Sequence, residues 1–213
     1  MNRLLKGHAD FQKAFVAGER AFLERLASGN QAPDAMYVGC SDSRVIPELL
    51  TASKPGQLFV VRNVANLVPP LDSAYVSVGA ALEYAVEVLK VPNIVVCGHY
   101  GCGGVRAVLP PEPDLSFAPS LEKWLKEARR AREVGAAEPG DGTEADIDAR
   151  WRAAVEANAL EQLANLMTYP GVARRVSEGS LALHAWLYDM HDALLQVYDA
   201  EQDRFVPYDR AHA

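Results

Sequence analysis

The sequence predicts an α/β fold: a mainly parallel four-stranded sheet with an added edge strand, helices on both faces, and an N-terminal helical arm. Three observations carry this. Four compact apolar runs, at 35–39, 58–61, 93–97 and 181–187, read as strands buried within a sheet. Helical patterns separate them, which calls for parallel pairing with right-handed crossovers. The runs at 35–39, 58–61 and 93–97 lead directly into polar or glycine-rich turns, at the strand ends where ligands of such sheets collect.

The elements follow in order. Residues 1–30 are helical in pattern, with Leu4, Leu5, Phe11, Phe15, Phe22, Leu23 and Leu26 at roughly helical spacing and Gly7 and Gly18 as interruptions. On pattern alone this is one or two helices over the domain's own core. The first strand, 35–39, ends at Cys40. Pro47 opens a short helix through Leu50. The second strand, 58–61, is followed by Arg62-Asn63. A helix over 73–89 is stopped by Pro92, and 93–97 is the third strand. Pro110, Pro111 and Pro113 mark a loop. Residues 121–134 form an amphipathic, charge-rich helix, and 135–143 an exposed, mobile loop. A long helix over 147–167 carries the stripe Ile147, Trp151, Val155, Leu160, Leu163 and Leu166, and Pro170-Gly171 ends it. Residues 181–187 are the fourth strand and 194–198 a short edge strand or helix end. The expected organisation is one domain, 1–213, with 1–30 as the arm and 204–213 as a tail that is loose at 210–213.

Composition narrows the function. The chain has 213 residues, 49% of them hydrophobic and 23% charged, as in an ordinary globular protein. A net charge of −7 argues against a nucleic-acid partner. No apolar run approaches the ~20 residues of a membrane span, and the N-terminus lacks a signal-peptide core. Three cysteines are an odd, sparse set, which suits a reducing compartment and no disulfide framework. The expected location is the cytoplasm.

Chemistry concentrates in two turns. In Gly98-His99-Tyr100-Gly101-Cys102-Gly103-Gly104, a histidine and a cysteine sit three apart where a strand gives way to a helix. Imidazole and thiolate together suit zinc, and a helix N-terminus beside Cys102 favours the thiolate. Cys40, at the end of the equivalent strand, completes a Cys2His set. Three protein ligands leave a fourth position open, the catalytic arrangement of zinc. Asp42 lies two residues after Cys40, within reach of that position, and Arg44 can hold it by a bidentate pair. The plainer alternative has Asp42 capping the helix entered at Pro47 and Arg44 in a surface ion pair. Cys97 reads as a small core residue, and His184 and His191 as hydrogen-bonded structural histidines. Tyr100 reads as packing, while Gln57, Asn63 and Asn66 order water or a turn.

The segments Cys40-Ser41-Asp42-Ser43-Arg44 and Gly98-His99-Tyr100-Gly101-Cys102-Gly103-Gly104 together resemble the β-class carbonic anhydrases. So do residues 56–66 and the later His184-Ala185-Trp186-Leu187-Tyr188-Asp189-Met190-His191-Asp192. The resemblance runs from about the thirties to about position 198. It implies reversible hydration of carbon dioxide to bicarbonate and a proton, by hydroxide formed on Zn2+ held by Cys40, His99 and Cys102. It makes Asp42 and Arg44 catalytic, with Asp42 able to swing onto the zinc as a fourth ligand in an inactive, low-pH state. It places a bicarbonate effector pocket at Tyr37, Arg62 and Tyr188, although the switching subgroup has tryptophan where this chain has Tyr37. It implies a homodimer or homotetramer, with the N-terminal arm packed on a partner subunit and the active site at a dimer interface. Two rival readings accompany it: hydrolysis of carbon disulfide or carbonyl sulfide on the same fold, and a non-catalytic zinc or bicarbonate-sensing module.

Overall fold

A computed structural model describes residues 1–137 and 141–208. The centre of the expected exposed loop, 138–140, and the loose tail at 210–213 lie outside the described residues. The chain forms two compact units, Met1–Ala32 and Pro33–Ala213.

The first unit is one helix, α1 (Asn2–Ser28), kinked at Glu19, where φ reaches −130°. The kink falls beside Gly18 as expected, while Gly7 passes through the helix unbroken. Phe11 and Phe15 stack at 4.9 Å between ring centroids. None of its residues is buried.

The second unit is built on a six-stranded sheet: β1 (Ala35–Cys40), β2 (Leu58–Asn63), β3 (Asn93–His99), β4 (Ala182–Asp189), β5 (Leu194–Asp199) and β6 (Arg204–Pro207). The spatial order is β2-β1-β3-β4-β5-β6. The first four strands pair in parallel, and β5 and β6 add antiparallel. The sheet thus has one strand more than expected. Residues 204–207, taken as tail, are its edge, and a strand of four residues closing on Pro207 suits an edge that needs no further pairing.

Alternation assigns the faces. Met36, Val38, Ile94 and Val96 join Val78, Leu82, Leu166, Tyr169 and Val172 from the helices in one core cluster. Tyr37, Val95 and Cys97 point the other way into a smaller cluster, against Val60, Trp186 and Tyr188.

The helices are α2 (Pro47–Leu50), α3 (Val76–Glu83), α4 (Gly103–Arg106), α5 (Pro119–Leu125), α6 (Arg129–Ala136), α7 (Glu144–Leu166) and α8 (Pro170–Ser177). Several differ from expectation for local reasons. The helix expected from Ser73 begins at Val76, because the Ser73 hydroxyl accepts the Tyr75 N–H in a competing turn (3.2 Å), and its last turn, 84–88, widens to a π-helix. The helix expected over 121–134 breaks in two. The N–H groups of Lys126, Glu127 and Ala128 reach only three residues back, and the Glu161 carboxylate accepts the Arg130 N–H to restart the helix (3.0 Å). Gly135, expected in a loop, is buried inside α6. α7 starts earlier than expected because Thr143 caps it through the Asp146 N–H. Pro170 does not end α7; it opens α8, at a position whose N–H needs no partner. No helix among the described residues is long and apolar enough to cross a membrane.

Candidate metal centre

Cys40 ends β1, His99 ends β3, and Cys102 follows after one turn, so all three stand at the carboxyl edge of two adjacent parallel strands. Their ligand atoms lie within 4.8 Å of one another. All three residues are buried, and the two sulfurs are 3.8 Å apart. Two glycines make the turn possible. Gly101 takes φ of +75°, a conformation costly for any residue with a Cβ. At Gly104 a Cβ would come within 3.0 Å of the Ala65 Cβ and 3.2 Å of its backbone nitrogen, so only glycine lets the two segments meet.

The donors are prepared for a cation. The His99 Nδ1–H donates to the Tyr100 carbonyl at 3.1 Å, which leaves the Nε2 lone pair directed into the cluster. Nε2 is buried and has no hydrogen-bond partner, a costly state that a Lewis acid relieves. The Cys102 thiol, and after it the His99 ring, draws the Cys40 thiol down to about 4 despite burial. Cys102 shares that proton with Cys40 and is pushed up, although the N–H groups of Val105 and Gly104 face its sulfur. A divalent cation would take the place of the shared proton and let both sulfurs ionise. The donor set of two thiolates and one imidazole fits zinc.

Asp42 stands on the open side. Its carboxylate accepts from Arg44 Nε (2.9 Å) and Nη2 (2.7 Å) and from the Arg44 N–H (3.0 Å). These bonds hold it well below the usual carboxylate range. Its Oδ2 is 3.9 Å from His99 Nε2. It does not cap α2, whose cap position is Ile46 with no side-chain bond, so the plainer alternative fails for Asp42.

The strand register puts Tyr37, Arg62 and Tyr188 on one face of the sheet, the face of His99. Tyr37 is fully buried, edge-on to Trp186, and burial pushes its hydroxyl far up. Tyr188 packs against the same cluster. Arg62 turns its guanidinium to the carbonyls of Cys40 (2.9 Å) and Asp42 (2.6 Å).

Other expectations resolve simply. Cys97 is a buried free cysteine, pushed up to about 12 by burial. His184 bonds Asn93 at 3.1 Å, while His191 is exposed and paired with Asp192. Asn63 ties both backbone groups of Leu67. Sequence reading missed the support that α7 gives the ligand turn. Tyr100 is more than packing: its hydroxyl donates to Glu156 (2.8 Å), and the Arg152 guanidinium lies over its ring at 3.7 Å. Trp151 Nε1–H donates to the Cys102 carbonyl (3.0 Å). The available signal was the polar handle of a tryptophan inside an apolar stripe.

Residues 35–195 match the family model described as carbonic anhydrase. A carbonic anhydrase of Pseudomonas aeruginosa is 40% identical over 206 residues, covering 97% of this chain and 91% of that protein. The solved β-carbonic anhydrase CcaA superposes with a TM-score of 0.89 at 35% identity, over 98% of this chain and 92% of that one. One of two tetrameric β-carbonic anhydrases from Sordaria macrospora superposes with a TM-score of 0.79 at 29% identity, over 92% and 95%.

Proposed function

The chain belongs to the β-class carbonic anhydrases, and from that premise we propose that Asp42, oriented by Arg44, is the group that serves the reaction beside the metal. The enzyme uses zinc to interconvert carbon dioxide and bicarbonate. Cys40, His99 and Cys102 would hold the ion. When bound, zinc supplies a Lewis-acid position at which water loses a proton near pH ~7.

The chain's own residues do the rest. Two thiolates and a neutral imidazole cancel the charge of a dication, so the acidity of this site depends on its neighbours. The observation that carries the reading is the carboxylate of Asp42, held by two guanidinium bonds and facing the buried Nε2 at 3.9 Å. There it accepts a hydrogen bond from a water on the open side and fixes which lone pair meets carbon dioxide. Arg44 holds Asp42 below the usual carboxylate range, which favours the ionised carboxylate. In an inactive, low-pH state Asp42 would leave Arg44 and swing onto the metal position as a fourth ligand.

Arg62 supplies a route for such a switch. Bicarbonate between Tyr37, Arg62 and Tyr188 would draw the guanidinium off the Cys40 and Asp42 carbonyls and loosen the turn that holds Asp42. The exposed Leu4, Leu5 and Phe11 of α1 and the tetrameric Sordaria relative support a homodimer or homotetramer. The three free cysteines support a cytoplasmic site of action.

The test is stopped-flow hydration of carbon dioxide by zinc-loaded protein, from about pH 6.5 to about 9 to bracket the ~7 of zinc water. Carbonyl sulfide and carbon disulfide are run beside it. Turnover of carbon dioxide, cut roughly 100-fold or more in Asp42→Asn with zinc retained, supports the reading. Turnover of only the sulfur substrates, or of none, contradicts it, as does an Asp42→Asn enzyme of full activity.

A further inference from the structure

The segment after β2 takes an unusual path. Ala65 and Asn66 both have positive φ, 66° and 48°, a left-handed pair built without glycine, which persists only where the surroundings impose it. The imposition comes from one face of α7. Asn158 Nδ2 donates to the Ala65 carbonyl (2.9 Å). Gln162 Oε1 accepts the Val68 N–H (2.8 Å), and Asn165 Nδ2 donates to the Val68 carbonyl (3.0 Å). The amides also bond one another: Gln162 Nε2 donates to Asn158 Oδ1 at 3.1 Å. Asn158 is 1% exposed and Gln162 is fully buried, so this ladder is placed where polar groups are costly unless every bond is made.

Satisfying irregular backbone explains the amides. It does not explain why the backbone is bent left-handed at Ala65. The metal centre does. Ala65 packs in one buried cluster with Cys40 and Cys102, and its carbonyl is the group that Asn158 holds. Gly104, whose missing Cβ admits Ala65, is in the ligand turn itself.

We infer that Asn158 is a positioning residue for the metal centre: by holding the Ala65 carbonyl it locks the left-handed turn that packs against Gly104 of the ligand turn. A fixed Ala65 restrains the ligand turn, so Asn158 sets how strongly the cysteines bind zinc without touching it. The inference rests on the zinc reading above, and its test separates the two.

The experiment uses full-length protein loaded with cobalt(II), read by its thiolate-to-metal charge-transfer band, and zinc-loaded protein, read by metal release to a chelator. In Asn158→Leu the band shifts and zinc leaves about 10- to 100-fold faster. Adding Ala65→Gly restores both, because glycine takes positive φ without strain. Tyr169→Phe removes another buried bond to the same segment, to the Pro69 carbonyl (2.8 Å), and leaves both readouts unchanged. If Asn158→Leu does not fold, Asn158→Ser, too short to reach Ala65, is read in its place. An unmoved band in a folded Asn158 variant overturns the inference. So does a double variant as impaired as the single one, or a Tyr169→Phe protein that shifts equally. A wild-type protein that takes up neither metal overturns the zinc reading and this inference with it.

Discussion

The parallel strands carry a histidine toward each of their two edges, and the two have opposite fates. At the amino edge, His184 is half-buried with one ring nitrogen bonded to Asn93 at 3.1 Å. Asn93 in turn donates to the Asp34 carbonyl (3.2 Å). At the carboxyl edge, His99 is fully buried, its Nδ1 is taken by a carbonyl, and its Nε2 faces two sulfurs with no partner. The cysteines divide the same way. Cys40 meets the Cys102 thiol and is drawn down, whereas at Cys97, two residues before His99 on β3, burial dominates and pushes the thiol up. A ligand here is a donor whose environment has left one lone pair unpaid, and the carboxyl edge collects such donors because strand ends deliver side chains there beside free N–H groups.

The comparison breaks first at the ligands. Cys102→Ser or His99→Asn abolishes zinc uptake and reduces hydration to background, measured by metal analysis and stopped flow on one preparation; retained zinc would place the site elsewhere. Next comes Arg44→Ala, which leaves zinc in place but frees Asp42, and lowers kcat/KM roughly tenfold. Cys97→Ala keeps zinc stoichiometry and rate and costs about 1 kcal/mol of stability by denaturant titration; loss of metal in that variant would erase the distinction between the two cysteines.

The smallest effect is that of His184. Burial lowers its pKa from 6.5, so the unfolded chain takes up the proton first as pH falls through that value. Its contribution is complete above pH 6.5 and is lost as pH falls through the lowered folded value. His184→Gln should therefore flatten the acid side of the stability–pH curve, while His99 variants change metal content.

The ligands and Asp42 were legible in the sequence because they occupy strand ends that apolar runs mark clearly. The parallel core was legible for the same reason. The support was not. Asn158, Gln162 and Asn165 look like the solvated side of an amphipathic helix, and the expected stripe ran through Leu160 and Leu163 instead. The structure buries Asn158 and Gln162, because the backbone they serve, 65–68, leaves a single distorted 3-10 turn at Val64–Asn66 and pairs with no strand. Nothing in Ala65 announces positive φ. α8 was hidden because Pro170 serves equally as a stop or a start, and β6 because four residues ending in proline are too few to show alternation.

The most direct test of the central claim is X-ray absorption at the zinc edge of the purified, zinc-loaded protein. The account predicts two sulfur scatterers at about 2.3 Å and one imidazole nitrogen at about 2.0–2.1 Å, with one further light atom completing the shell. A shell with three sulfurs, which would enlist Cys97, or with none, would contradict it.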